Sequence, residues 1–258
     1  MSYNEAEARA LVIEAGHRLL ENKLISRTWG NISARISEDS FVITPSGRAY
    51  DTLKPEELVE VKISDLSYGG DIKPSSEKGI HAAAYALRPD ADFVIHTHQF
   101  YASAVCADGK DTDFAPCAAY GLPGTGKLKD NVAESIKSNP DKKMFLMARH
   151  GAVCLGESFE DAFALAEELE EKSKALYEKR AEENKSAGDK KPWLDDYAQI
   201  VGLGKKDAPD EDKDAVELIS EKNAAAALYV RDAKPIGFFD LLLQRAVYLL
   251  KYSKQKNK

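Results

Sequence analysis

The chain has little cysteine, three in 258 residues, and no two of them are spaced as C-x-x-C. An odd number without that spacing predicts reduced thiols in the cytosol. No apolar run approaches the roughly 20 residues that span a bilayer. The first residues, MSYNE, predict the start of a charged helix and not a secretion signal. We therefore predict a cytoplasmic protein with no membrane partner.

Nucleotide-binding fingerprints are also missing. Neither G-x-x-x-x-G-K-[ST] nor G-x-G-x-x-G occurs, and the glycine-rich stretch Gly121–Lys127 has the wrong spacing, so we predict a turn there. A net charge of −7 argues against a nucleic-acid partner but not against a small anionic substrate, whose site depends on local donors. At 43% apolar and 31% charged residues, the composition is that of one globular α/β domain with a sizeable core.

Three of the five histidines stand where they can bind a metal ion. His96 and His98 continue the apolar run 93–95, which predicts a buried strand. Residues i and i+2 of a strand share a face with Cα atoms roughly 6–7 Å apart, so both imidazoles can converge on one ion. His150 follows a second apolar run, 144–147, and precedes Gly151. Three imidazoles with an open position are typical of a catalytic zinc site.

Glu77 begins the segment 78–87, whose alanines predict a helix that ends before Pro89. A carboxylate there ordinarily complements the helix dipole, and Ser75 and Ser76 ordinarily cap the helix. The alternative is that Glu77 is a base beside the metal and that the two serines bind an anion at the helix start. His81, one turn later, we interpret as a core or supporting residue and not as a ligand.

Two further loops contain small residues with uncharged donors. Gly30 and Asn31 follow the first helix, and Ser46 and Gly47 lie in a Pro/Gly turn after the next apolar run. Each loop is ordinarily a plain connection between strands. Together with Ser75 and Ser76, they could instead surround an anion, because glycine lets a backbone approach a ligand closely.

Six segments, in this order along the chain, resemble the zinc-dependent class II aldolase/adducin family. They are TWGNISAR (28–35), TPSGRAYDTL (44–53), PEELVEV (55–61), PSSE (74–77), VIHTH (94–98) and HGAVCLG (150–156). The resemblance implies a three-layer α/β/α sandwich around a mainly antiparallel sheet, assembled as a homotetramer with active sites at subunit interfaces.

The resemblance also implies roles for individual residues. His96, His98 and His150 would hold one Zn²⁺, or another divalent transition metal, and Glu77 would be the acid/base. A phosphate would be bound by Gly30, Asn31, Ser46, Gly47, Ser75 and Ser76. The implied reaction is reversible cleavage of a ketose 1-phosphate, such as L-fuculose 1-phosphate, to dihydroxyacetone phosphate and an aldehyde.

Other activities of the family stay open. Aldolases carry Glu after Pro-Ser-Ser, as here, whereas the 4-epimerases carry Asp, which favours an aldolase. Methylthioribulose-1-phosphate dehydratases also carry Glu, so the choice between an aldolase and a dehydratase is open. The intact histidines argue against a non-catalytic, adducin-like module. The stretch between the metal-binding histidines is shorter than in fuculose-phosphate aldolases, which leaves the proton-donating tyrosine unassigned.

The C-terminal portion exceeds what the short aldolases carry. Ser158 predicts the start of an amphipathic helix that runs to about Glu182. We predict a catalytic domain over 1–182 and a helical extension over 183–258 that packs on the same domain.

Overall fold

The computed structural model describes residues 2–25 and 29–186, where seven strands build one sheet flanked by five α-helices. The strands are β1 (Asn31–Arg35), β2 (Ser40–Ile43), β3 (Val59–Lys62), β4 (Phe93–Thr97), β5 (Cys117–Ala118), β6 (Met144–Met147) and β7 (Gly151–Gly156). The helices are α1 (Glu5–Glu21), α2 (Lys78–Leu87), α3 (Phe100–Val105), α4 (Gly126–Ser138) and α5 (Phe159–Ser186).

The sheet is mainly antiparallel, as predicted. Its order is β3-β2-β1-β4-β7-β6-β5, and the β5–β6 pair is its one parallel pairing in the described residues. Asn31 of β1 lies opposite His96, and Thr97 of β4 lies opposite Ala152 of β7. The three central strands therefore share one end, at which β1 and β7 begin and β4 ends.

Helices cover both faces of the sheet. Period-two alternation turns Phe41, Val94 and Phe145 toward α2 and α4, where they join one apolar cluster with Ile80 and Leu128. On the opposite face, α1 packs on β1 and β2, α3 packs on β7, and the ring of Phe159 at the start of α5 lies 5.5 Å from that of Phe93. The predicted three-layer α/β/α arrangement is confirmed.

Helix α2 has the bounds that the sequence predicts, 78–87. Its C-terminal carbonyls are capped by a buried guanidinium, because Arg35 donates to the carbonyls of Tyr85 (2.8 Å) and Arg88 (3.1 Å). Gly79 faces α4 and leaves room for the side chain of Lys129. The glycine-rich stretch turns at 123–125, as predicted, whereas Gly126 and Lys127 begin α4, with Thr125 as its N-cap.

The chain divides into two compact units, 1–175 and 176–258. All seven strands belong to the first unit, and α5 crosses the boundary. The expected division at 182/183 stays a prediction, and nearly all of the extension lies outside the described residues. Within the residues described, none of the helices has the length and apolar character needed to cross a membrane.

The three cysteines are free thiols, as predicted. Cys106 and Cys154 are buried, and burial raises the pKa of the Cys106 thiol to about 11. A thiol that stays protonated near neutral pH is a poor nucleophile. The cysteines therefore serve packing, and the chemistry of the chain must be sought elsewhere.

Candidate metal centre and active site

Three imidazoles meet where the central strands share an end. Nitrogens of His96, His98 and His150 lie within 4.8 Å of one another. Their ring centroids form a nearly equilateral triangle with sides of 4.7, 4.8 and 5.0 Å. His96 is fully buried, whereas His98 is half-buried, so the cluster has one side nearer to solvent.

The backbone sets the tautomer of His96. Its Nδ1 lies 2.8 Å from the carbonyl oxygen of Ala152, a residue of the neighbouring strand, so Nδ1 carries the hydrogen and donates it. Nε2 is then the nitrogen that can offer a lone pair to an ion, and it lies 3.2 Å from Nε2 of His150. Fixing one nitrogen by a backbone carbonyl is how proteins commonly orient a metal-binding imidazole.

A tight turn between β6 and β7 presents His150. The His150 amide donates to the Met147 carbonyl (3.0 Å), and Arg149 adopts a left-handed conformation with φ 58°. That conformation costs a non-glycine residue about 1–2 kcal/mol. Gly151 then lies so close to the Thr97 carbonyl that any side chain would collide with it. The glycine lets the two histidine-bearing segments come together.

Glu77 lies directly beside the imidazoles. It is the N-cap residue of α2, but its side chain makes no capping hydrogen bond to that helix. Its Oε1 is 3.0 Å from His150 Nε2, and its Oε2 is 3.2 Å from His96 Nε2. Burial alone would raise the pKa of Glu77, but the positive charge available on His96 and His150 outweighs it and holds the pKa well below its ordinary value. The carboxylate is therefore ionised and faces the same nitrogens that would bind an ion.

The sequence indicates His81 as a core or supporting residue, but it does not predict the polar contacts that connect His81 to Glu77. Asn31 Nδ2 donates to Glu77 Oε2 (3.1 Å), and the Asn31 carbonyl oxygen accepts from Nε2 of His81. His81 Nδ1 lies 2.6 Å from the hydroxyl of Ser33. Two sequence patterns could have indicated these contacts. Polar residues alternate along the strand (Asn31, Ser33, Arg35), and polar residues recur at intervals of four along the helix (Glu77, His81, Tyr85).

The loops predicted to bind phosphate gather beside this centre. Ser46 donates its amide to the carbonyl of Lys73 (2.9 Å), and Ser75 donates its amide to that of Thr44 (3.0 Å). These two bonds join the loop of Ser46 and Gly47 to that of Ser75 and Ser76. The Ser75 hydroxyl accepts from the Glu77 amide (3.2 Å), whereas Ser46, Gly47 and Ser76 are exposed.

Gly30 lies against the backbone of a metal-binding histidine. Its φ of +85° is left-handed, and an added Cβ would collide with the backbone carbonyl of His96. The glycine-rich turn before α4 also reaches this end of the sheet, because Gly124 lies against the Ser76 side chain. No local pattern indicates that contact, since 48 residues separate the two positions.

These residues fit a divalent transition metal. Three imidazoles with converging nitrogens, which become neutral when they bind an ion, suit zinc and leave an open position for substrate. The Glu77 carboxylate lies close enough to the imidazole nitrogens that one of its oxygens could be the fourth ligand, after the three nitrogens, when no substrate is bound. An ionised carboxylate beside an ion-binding cluster and small-residue loops can remove or return a proton on a bound anionic substrate.

Comparisons with known proteins agree with this arrangement. A family model described as "Class II Aldolase and Adducin N-terminal domain" matches residues 10–177. The chain is 32% identical over 179 residues to the L-fuculose phosphate aldolase of Haemophilus influenzae, a match that covers 65% of this chain and 81% of that protein. It is 30% identical over 190 residues to the 3-oxo-tetronate 4-phosphate decarboxylase of Pectobacterium atrosepticum, covering 67% and 85%.

The fold is similar to that of a solved structure, the L-fuculose-1-phosphate aldolase from Thermus thermophilus. The TM-score is 0.54 at 28% identity, with 66% of this chain and 93% of that chain covered. The relatives differ in their named substrates but share lyase chemistry. From its family match, its fold and its cluster of three histidines and a glutamate, we conclude that this chain belongs to the class II aldolase and adducin family, as one of its lyases.

Proposed function

We propose that the chain is a metal-dependent aldolase that reversibly cleaves a ketose 1-phosphate to dihydroxyacetone phosphate and an aldehyde. One observation carries the proposal: an ionised, buried carboxylate lies 3.0 to 3.2 Å from two nitrogens of a three-imidazole cluster. The similarity to an L-fuculose phosphate aldolase supports a ketose 1-phosphate as the substrate class.

The three histidines and Glu77 have different roles in the proposed reaction. Bound at the three imidazoles, zinc or a similar ion would supply a Lewis acid that stabilises negative charge on substrate oxygens. In the synthetic direction, Glu77 takes a proton from the hydroxymethyl carbon of dihydroxyacetone phosphate. That carbon forms the new bond to the aldehyde carbon, and the aldehyde oxygen takes up a proton from solvent. In cleavage, the same carboxyl group returns the proton.

The small-residue loops hold the phosphate. Gly30, Ser46, Gly47, Ser75 and Ser76 offer hydroxyl and backbone donors without a fixed positive charge. Asn31 would add the second hydrogen of its amide group, because the first is donated to Glu77. The start of α2 adds its dipole, which favours an anion. Because the phosphate is the same for many sugars, these residues bind the shared part of the substrate.

The proposal is tested by proton exchange on dihydroxyacetone phosphate in D₂O, followed by NMR. We expect stereospecific loss of one hydroxymethyl proton signal from metal-loaded protein, no loss after chelation, and none in Glu77→Gln. Glu56→Gln, an exposed carboxylate change, serves as the control and should exchange normally. Absence of exchange from metal-loaded wild-type protein, or normal exchange in Glu77→Gln, would contradict the proposal.

A second candidate is decarboxylation of a 3-oxo-tetronate 4-phosphate, favoured by the 30% identity to an enzyme of that name. Loss of CO₂ from such a substrate leaves a carbanion beside a carbonyl, which becomes dihydroxyacetone phosphate on protonation. The same residues could serve both reactions, with Glu77 taking a proton from solvent and passing it to that carbon. A panel of aldehydes and a CO₂ assay separate them: formation of a new carbon–carbon bond supports the aldolase, and release of CO₂ supports the decarboxylase.

Zinc as the bound metal, a homotetrameric assembly and a cytoplasmic location belong to the same proposal. The histidine cluster supports a metal of the zinc type. Metal analysis of protein purified without added ions tests whether zinc is bound, and we expect about one zinc per chain.

A further inference from the structure

A buried polar ladder connects β1 to α2 behind the candidate centre. Polar residues alternate along the strand (Asn31, Ser33, Arg35) and recur every fourth residue along the helix (Glu77, His81, Tyr85). Two strand residues advance about 6.6 Å and four helix residues about 6 Å, so the two series stay in step. Each of the six residues is at most 9% exposed.

The donors and acceptors of this ladder have one consistent assignment. The Asn31 amide group donates to Glu77 Oε2, and the Asn31 carbonyl oxygen therefore faces Nε2 of His81. His81 must then carry its hydrogen on Nε2, and its Nδ1 must accept from the Ser33 hydroxyl (2.6 Å). The Ser33 oxygen in turn accepts from the Tyr85 hydroxyl (2.7 Å).

Burial keeps this assignment in place. It lowers the pKa of His81 to about 3 and raises that of Tyr85, so neither group changes charge near neutral pH. Tyr85 is 1% exposed, and the series ends there without an outlet to solvent. The ladder is therefore suited to holding side chains in one orientation and not to conducting protons.

We propose that His81 is a positioning residue of the active site: by donating to Asn31 it fixes the amide orientation that holds the Glu77 carboxylate beside the imidazoles. A flipped Asn31 would present its carbonyl oxygen to a carboxylate, and Glu77 would move away. The inference rests on the proposed function of Glu77 for its effect on rate, but the orientation itself is independent of that function.

The first test is direct observation of His81 and Glu77. In ¹⁵N-histidine-labelled wild-type protein, long-range ¹H–¹⁵N spectra should show His81 with its hydrogen on Nε2. A crystal structure of His81→Phe should show the Glu77 carboxylate displaced from Asn31. A hydrogen on Nδ1, or an unmoved Glu77 in His81→Phe, would overturn the inference whatever reaction the enzyme catalyses.

The second test uses proton exchange on dihydroxyacetone phosphate by zinc-loaded variants. Loss of a residue that orients an active-site group typically costs about 10- to 100-fold in activity. We expect that loss in kcat for His81→Phe, with KM within about threefold, and partial recovery in His81→Gln, whose amide can also donate to Asn31. Tyr85→Phe removes an equally buried hydroxyl at the far end and should retain at least a third of the rate.

The outcomes are distinguishable. Equal losses in His81→Phe and Tyr85→Phe, or no recovery in a folded His81→Gln, would assign His81 a purely structural role and overturn the inference. If zinc-loaded wild-type protein exchanges no proton, the proposed function fails. The tautomer of His81 and the position of Glu77 then decide the inference by themselves.

Discussion

Gly30 and Gly47 are two left-handed glycines in the loops beside the centre, with φ of +85° and +73°. They differ in their surroundings. A Cβ at Gly30 would collide with the His96 carbonyl, whereas nothing lies within 4 Å of a Cβ at Gly47. Substitution at the two sites therefore separates backbone strain from displacement of a metal-binding residue.

We expect Gly30→Ala to lower the free energy of unfolding by about 3 kcal/mol, from left-handed strain and overpacking together. Because His96 must shift, metal affinity should also fall about 10- to 100-fold. Gly47→Ala should cost only about 1–2 kcal/mol and leave metal affinity unchanged. Denaturant unfolding and zinc titration measure both quantities, and equal metal affinity in the two variants would contradict the contact at His96.

His81 should make stability depend on pH. Its pKa is about 3 in the folded protein, and an unfolded histidine titrates near about 6.5. Between these values the unfolded chain binds a proton that the folded chain does not. The free energy of unfolding therefore falls by about 1.4 kcal/mol for each pH unit below about 6.5, and is unaffected above it.

In His81→Gln this contribution disappears. Between pH 7.5 and 5.5, wild-type protein should lose about 1.4 kcal/mol more than the variant, about three quarters of it below pH 6.5. Urea unfolding with a chelator present measures this without a contribution from metal release. Parallel pH curves for the two proteins would show that His81 is charged, or exposed, in the folded state.

At the scale of elements, Arg35 joins the end of β1 to the end of α2 and the start of β4. Its guanidinium donates to the carbonyls of Tyr85, Arg88 and Ala91 and lies 3.4 Å from the carboxylate of Asp92.

Arg35→Met should lower the free energy of unfolding by about 3–5 kcal/mol, because it leaves buried acceptors without this donor. Lys62→Met, which removes an exposed pair with Glu60, should cost less than about 1 kcal/mol. Comparable losses in chemical denaturation would argue against this role for Arg35.

Local patterns were sufficient to predict several elements. The alanines of α2 and the proline that follows predicted its bounds, and apolar runs predicted the strands that lead to His96 and His150. These signals lie within about ten consecutive residues. For Glu77, the local pattern left a helix-dipole role and a base beside the metal as alternatives, and the family resemblance favoured the second.

Pairings between distant residues could not be predicted in this way. Asn31 and Glu77 are 46 positions apart, and Gly124 and Ser76 are 48 apart. Such contacts depend on strand order and register, which the spacing within one segment does not specify. The parallel pairing of the two-residue β5 with β6 was unpredicted for the same reason.

For the whole molecule, metal binding should add to stability. A metal at about 100 times its dissociation constant stabilises a folded protein by about 2.7 kcal/mol. For a chain of this length, that corresponds to about 5–10 °C in melting temperature. We expect a chelator to lower the melting temperature by this amount in wild-type protein and to have no effect on His98→Ala. A chelator effect that persists in His98→Ala would place the stabilising metal elsewhere.

The homotetramer proposed from the family resemblance predicts a solution mass. Light scattering should give four times the chain mass of 28.4 kDa. A mass of one chain from fully active protein would show that the active site needs no second subunit.

Asn31 lies opposite His96 across β1 and β4. The register of these two strands therefore determines both the stability of the sheet and the geometry of the active site. A slip of one residue would turn the polar side of β1 toward α1 and bring Ile32 and Ala34 beneath α2. Three polar groups would lose their partners, at about 1–3 kcal/mol each, and Glu77 would lose Asn31. Chains with this error would be unstable and inactive together, so a simple activity assay on freshly made protein counts the chains whose sheet has assembled correctly.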